Sequence, residues 1–463
     1  MKQLLTMLFS ILIFSCSEDD IYEPVNDSTP NYQEEFPGGD GSIGLEDKRA
    51  FSQSFRNFQT SEQITFKSGN FLFENFWLEG VSNSAQNLDG LGPFFNARSC
   101  TGCHINDGRG RVPIGDENIS GLLFRLHQNN SNSITGADLG DPTYGGQLQN
   151  LAISEIENLN EGKLQVTYTE ISGTYPSGES YSLRNPQYSI INANYGAFNS
   201  VISPRIAPAN LGLGLLEAIS DEDLLKHEDE FDADEDGISG RPNYVWHIKN
   251  NKVKIGRFGW KASQPTVRQQ VATAFNGDMG ITTTIFPDDC PSTIDEKYCD
   301  NLIEVDDTDL EAITLYSSGL AVPFRRSFNK ENTNKGQQLF SEIQCAACHV
   351  PKHITGNIGI SDAFKNQTIF PYTDLLLHNM GNDLADNAND FKASGNEWRT
   401  PPLWGIGLVP IVNGHQELMH DGRARNVEEA ILWHGGEAKN SKQQFKNLTK
   451  IQRQQLIDFV NSI

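Results

Sequence analysis

The sequence predicts a mainly α-helical chain of two similar halves, with a β-rich insertion in the first half and many loops. Three observations carry that expectation. Cys100-Thr101-Gly102-Cys103-His104 and Cys345-Ala346-Ala347-Cys348-His349 repeat one five-residue pattern, one copy in each half. Helical apolar spacing recurs at Asp221 to His227, Pro265 to Phe275, Asp309 to Ser317, Lys335 to Phe340 and Gln444 to Val460. Between Leu122 and Ile190 the pattern changes. Lys163 to Tyr168 alternates as a half-buried strand does, and Gly173, Pro176-Ser177-Gly178 and Asn185-Pro186 supply turns.

At 463 residues, with 41 Gly and 20 Pro, the chain has room for two or three loop-rich domains. Residues 1–16 read as a signal segment and 17–44 as a polar tether. A first domain follows over 45–325, with its insertion at about 122–190. Pro323-Phe324-Arg325-Arg326 marks the crossing into a second domain, 326–463. The aromatic run Phe71 to Leu78 reads as core.

C-x-x-C-H is the attachment signature of c-type haem. Two thiols add to the porphyrin vinyl groups, and the adjacent His gives its imidazole to the iron. Clamp and ligand must come from one tight turn, which fixes the spacing. A zinc ribbon would hold its Cys pairs close together, and here most of the chain separates them. A redox dithiol needs no adjacent His. The halves therefore read as two cytochrome c-like haem domains, carrying covalently bound haems at Cys100, Cys103 and His104 and at Cys345, Cys348 and His349.

The N-terminus reads as an export signal. Met1-Lys2 is a basic start, and Leu4 to Phe14 is apolar but too short to span a bilayer. Ile13-Phe14-Ser15-Cys16 resembles the lipobox of bacterial lipoproteins, which implies lipidation of Cys16 and an extracytoplasmic protein anchored to the outer membrane, on its periplasmic face or at the cell surface. Seven cysteines then divide into one anchor, four haem thioethers, and Cys290 with Cys299, which can form a disulfide in an oxidising compartment. A net charge of -24 argues against nucleic acid as a partner.

Asp232-Ala233-Asp234-Glu235-Asp236-Gly237 opens like a calcium loop, in which alternate carboxylates converge and Gly permits the turn. The twelfth position is Asn243 and not Glu, so the loop departs from an EF-hand. Calcium binding at Asp232, Asp234 and Asp236 and a solvated acidic turn both fit.

Two such haem motifs in this order resemble the bacterial di-haem cytochrome c peroxidases, and more closely the di-haem oxidoreductase branch, often called thiol oxidoreductase-like. The runs that carry the likeness include Ser203-Pro204-Arg205-Ile206-Ala207-Pro208, Gly259-Trp260-Lys261-Ala262, Asn276-Gly277-Asp278-Met279-Gly280, Trp398-Arg399-Thr400-Pro401-Pro402-Leu403-Trp404-Gly405 and His420-Asp421-Gly422-Arg423. The likeness spans nearly everything after the tether.

That resemblance implies roles. His434 falls where the peroxidases place an axial Met after H-D-G, which implies His349/His434 coordination of the second haem, with Met380 as the alternative. Exchanging Met for His lowers a haem potential. His378 and His420 are expected beside the propionates, and Arg109, Arg111 and Arg125 at propionates, at an anionic substrate or in surface salt bridges. The peroxidases carry a displaceable His soon after the first motif. Here none comes before His127, so the first haem is expected to be open. The family's Trp, Gln and Glu find counterparts in Trp260 as electron bridge, Gln270 as distal hydrogen-bond partner and Asp278 as acid/base.

The expected function is an extracytoplasmic di-haem oxidoreductase, peroxidase-like, relaying electrons from the C-terminal haem to the open N-terminal one. Its expected partners are a redox protein or small electron donor, and peroxide or a small oxidisable substrate. A non-enzymatic electron-transfer cytochrome and a peroxide-dependent oxidase of a substrate or partner protein are the alternatives.

Overall fold

A computed structural model describes residues 32–80, 88–114, 121–288, 290–299 and 302–463. Each half is framed by a pair of crossing helices. In the first, Thr60–Glu74 is opened by a reciprocal cap in which the Gln59 amide donates to Glu62 Oε2 at 2.7 Å. It crosses Asp307–Ser318, where Asp306 Oδ1 accepts the Thr308 and Asp309 amides. In the second half, Glu331–Glu342 crosses Lys450–Ser462.

Both crossings depend on a glycine. A Cβ on Gly69 would lie 2.2 Å from Ala312 O and 2.6 Å from Tyr316 Cβ, and one on Gly336 would lie 2.0 Å from Gln455 O and 2.7 Å from Phe459 Cβ. The close approach seats a phenylalanine of each first helix against the histidine of its motif: Phe73 lies 6.2 Å from His104 and Phe340 lies 6.1 Å from His349, ring centre to ring centre. One apolar cluster joins the halves, from Phe51, Phe55 and Tyr316 to Phe340, Trp404 and Phe459.

The expectation of a mainly α chain is corrected. Helix accounts for 31% and strand for 18% of the chain, and the strands form small two-stranded sheets. The reason is the interior. Short antiparallel ladders pin loops whose side chains wall a cavity. Leu122–His127 pairs with Val201–Ile206 and brings Arg125 and Arg205 to the wall, while Leu377–Asn379 pairs with Glu397–Arg399 and brings His378, Trp398 and Arg399. The longest ladder, Lys163–Thr174 with Ser180–Ile191, contains the strand that the alternation at Lys163 to Tyr168 predicts and turns at Pro176-Ser177-Gly178, whereas Gly173 and Asn185-Pro186, read as turns, lie within its strands.

Boundaries differ where caps decide them. The apolar spacing of Gln444 to Val460 spans two helices, Lys439–Asn447 and Lys450–Ser462, because Thr449 caps the second through Gln452. Leu72, Phe73 and Trp77 of the aromatic run are buried, whereas Phe71, Phe76 and Leu78 are exposed. Residues 32–44, the last part of the stretch read as a tether, run along the body. The Ile43 amide donates to Val322 O, and Arg325 pairs with Glu34. Cys16 lies outside the described residues. No described helix is long and apolar enough to cross a membrane.

Gly336→Ala is expected to cost about 1–3 kcal/mol in urea unfolding, the usual penalty for overpacking. Gly146→Ala, where a Cβ meets nothing within 4 Å, is the control and should leave the midpoint unchanged. Equal midpoints for Gly336→Ala and wild type would show that the helices need no close crossing.

Candidate functional site

Both C-x-x-C-H stretches fold into the same tight turn. The His104 amide donates to Cys100 O at 2.9 Å, and the His349 amide to Cys345 O at 3.0 Å. All six residues Cys100, Cys103, His104, Cys345, Cys348 and His349 line one cavity of about 590 Å³. Burial raises the thiols, with Cys103 and Cys345 pushed up to about 12, so they sit in the wall as neutral groups.

The histidines are aimed by backbone carbonyls. His104 Nδ1 lies 2.8 Å from Pro208 O and His349 Nδ1 lies 3.0 Å from Tyr372 O. A carbonyl only accepts, so Nδ1 carries the proton and Nε2 keeps its lone pair, the arrangement that a metal-ligating imidazole requires. His434 follows the helix Val427–Trp433 and repeats the device, with Nδ1 2.6 Å from Ala430 O. Burial first, and the nearby His434 second, hold the His349 imidazole down at about 4. Burial lowers the His434 pKa as well, and both rings line the same cavity. Met380 and Met419 also line the cavity.

The other end is different. Burial lowers the His104 pKa while Asp278 raises it, so His104 has a carboxylate for its charged neighbour. Asp278 lies near the end of Val267–Met279, and burial raises its own pKa against the pull of Arg125, a hydrogen bond from Gln147 and His104. Gln147 Nε2 is 2.7 Å from Asp278 Oδ1 and also donates to Asn96 Oδ1 at 2.6 Å, which fixes the carboxylate. Gln270 and Trp260 line the same cavity. Trp260 donates to Ile206 O at 2.8 Å, with the Arg109 guanidinium 5.2 Å above its ring. Trp260, Gln270 and Asp278 thus share one space with His104. His127 contributes to the wall, but its Nδ1 lies 3.1 Å from Asp138, and its Nε2 is buried without a hydrogen-bond partner among the described residues.

His378 and His420, expected beside the propionates, both line the cavity. His420 is stacked on Trp398, with centroids 3.7 Å apart, and burial holds it down at about 3. His378 is enclosed between Asp374 and Glu437 beside Cys348. Arg109 and Arg399 are buried cations whose side chains donate to backbone carbonyls: Arg109 to Glu417 and Met419, Arg399 to Gly259 and Thr400. Burial lowers both to about 10. A cavity with two cysteine pairs, aimed imidazoles and two such cations fits a pair of anionic, iron-bearing macrocycles.

Sequence reasoning missed Gln147, which stands in a loop without periodicity, and the charge cluster under Trp398. There Lys261 Nζ lies 2.9 Å from Asp386 Oδ1 and 4.3 Å from the Trp398 ring centre, and Arg205 lies 3.3 Å from Asp386. In the acidic loop, carboxylate oxygens of Asp229, Asp232 and Asp234 lie within 4.8 Å of one another. Asp229, Asp232 and Asp234 accept the Ala233, Gly237 and Asp236 amides and Asp236 accepts the Ile238 amide, while Asn243 is buried, donating to Lys261 O and Asp390 O. Cys290 and Cys299 are joined in a disulfide, with Cα atoms 5.2 Å apart.

A family model described as "Di-haem oxidoreductase, putative peroxidase" matches residues 38–463, and the description implies two haems. No curated protein matches the chain.

Asp386→Asn leaves Lys261 and Arg205 without their anion and is expected to cost about 3–5 kcal/mol at neutral pH in urea unfolding. Burial works against charge on Asp386, but Arg205 and Lys261 outweigh it and hold its carboxyl below the usual range. Its stabilisation is therefore complete above the unfolded Asp value of about 3.9 and fades as pH falls toward the folded value. Wild type and variant should converge in acid. Equal stability at pH 7 would show that the cluster does not need its anion.

Proposed function

The chain belongs to the di-haem oxidoreductase family, and from that premise we propose an extracytoplasmic, peroxidase-like enzyme with electron entry at the His349 end and chemistry at the His104 end. The observation that supports this division is the asymmetry of the cavity: His349 has a second carbonyl-aimed imidazole, His434, as a neighbour in the wall, whereas His104 is neighboured by the buried carboxylate of Asp278.

In this reading Cys100 and Cys103, and Cys345 and Cys348, form thioethers to two c-type haems, with His104, His349 and His434 as iron ligands. When bound, the two groups supply one-electron chemistry at iron. His349 and His434 would together hold the iron of the second group, which would suit that site to relay. Arg109 and Arg399 offset propionate charge. Trp260 stands in the cavity wall and provides a bridge.

Asp278 does the proton work. As carboxylate it takes the proton from the near oxygen of an incoming peroxide, and as acid it returns that proton to the leaving oxygen. In all, two electrons come from the external donor and two protons from solvent, so that hydrogen peroxide leaves as two waters. Gln147 holds the carboxylate in place, and Gln270 offers the substrate a hydrogen bond.

The N-terminal signal and Cys16 support a lipid anchor to the outer membrane, and the Cys290–Cys299 disulfide suits the oxidising compartment beyond the cytoplasm. The net charge of -24 suits a basic redox donor. Calcium belongs to this reading at Asp229, Asp232 and Asp234.

Asp278→Asn, with haem content unchanged, is expected to lower peroxide turnover by about 10²–10⁴-fold, the range of general acid–base catalysis. The raised pKa of Asp278 sets the sign of the pH dependence: activity needs the carboxylate, so it should fall as pH drops through a limb above the ordinary Asp range. The variant should lack that limb. Unchanged turnover with the same acid limb would reject Asp278 as the acid/base.

A further inference from the structure

The second C-x-x-C-H turn is backed by a buried charge triad. His378 is 3% exposed, with Nε2 2.8 Å from Asp374 Oδ2 and Nδ1 2.8 Å from Glu437 Oε2. Nδ1 also lies 3.5 Å from Cys348 Sγ. An ionised carboxylate only accepts, so a ring with each nitrogen facing one carries a proton on both. His378 is an imidazolium, a buried cation between two anions.

The three groups are held from several directions. The Asp374 amide donates to Cys348 O at 3.1 Å, and the Asp374 carboxylate takes the Leu376 amide at 2.9 Å. Glu437 accepts the Ser239 amide at 3.0 Å, the Ser239 hydroxyl at 3.1 Å and the Asn379 amide at 2.9 Å. The triad is thus tied to the motif by a backbone bond and by the sulfur contact.

We infer that Asp374, His378 and Glu437 set the reduction potential of the group carried on Cys345, Cys348 and His349, with His378 offsetting two carboxylates that favour oxidised iron. This rests on the reading that the second turn carries a haem. The physical reason is that charges in a buried site are weakly screened, so a cation beside the thioether raises the cost of the extra positive charge of the ferric state. His378 is a positioning residue here. It acts through the charge it places beside Cys348, without touching substrate.

The test uses the full protein in a spectroelectrochemical titration at pH 8. The second site is identified as the transition that a Cys345→Ser, Cys348→Ser double variant lacks. His378→Gln removes the cation and should shift that transition to lower potential. Glu437→Gln, close in shape, removes an anion and should shift it to higher potential. The other transition should stay in place in both. A purely structural role would not produce opposite signs. Shifts in the same direction, or no shift in either variant, would overturn the inference. If His378→Gln does not fold, the sign for Glu437→Gln decides alone. Failure of the underlying reading looks different: the wild-type peptide containing residues 345–349 would then show no added haem mass, which overturns both.

Discussion

The structure depends on a hydrogen bond from an imidazole Nδ1 to a backbone carbonyl. It occurs at His104 with Pro208, at His349 with Tyr372 and at His434 with Ala430. Each bond fixes a tautomer and turns Nε2 into a usable lone pair. A backbone acceptor cannot rotate away as a side chain can, so ligand direction becomes a property of chain path. Pro208 follows the strand Val201–Ile206, and Tyr372 lies between the short ladders of the second half. Much of the irregular structure exists to bring those carbonyls to the cavity.

The two ends share this device and then diverge. At the His349 end the neighbouring groups are His434 and, outside the turn, the Asp374–His378–Glu437 triad. At the His104 end they are Asp278, Arg125 and Gln147. Similar turns thus stand in different surroundings, which is what the proposed division into relay and chemistry rests on.

The sequence displayed the two motifs, the helices around Pro265 to Phe275 and Asp309 to Ser317, and the hairpin strand at Lys163 because each has a local signature. It did not display the balance of helix and strand. Ladders as short as Leu377–Asn379 with Glu397–Arg399 have no periodicity to read, and they form because distant loops meet. Trp260, Gln270 and Asp278 all line the cavity. Gln147, Asp386 and the enclosure of His378 were hidden, since a lone polar residue shows its partners only when the chain is folded. Asn243, which marked the acidic loop as no EF-hand, is buried and donates to Lys261 O and Asp390 O.

The central claim is that one iron site is open and the other is closed by two imidazoles. Low-temperature electron paramagnetic resonance of the oxidised full protein tests it directly. The account predicts one high-spin ferric signal that cyanide converts to low spin, together with one low-spin signal that cyanide leaves unchanged. Two low-spin signals, both indifferent to cyanide, would contradict it.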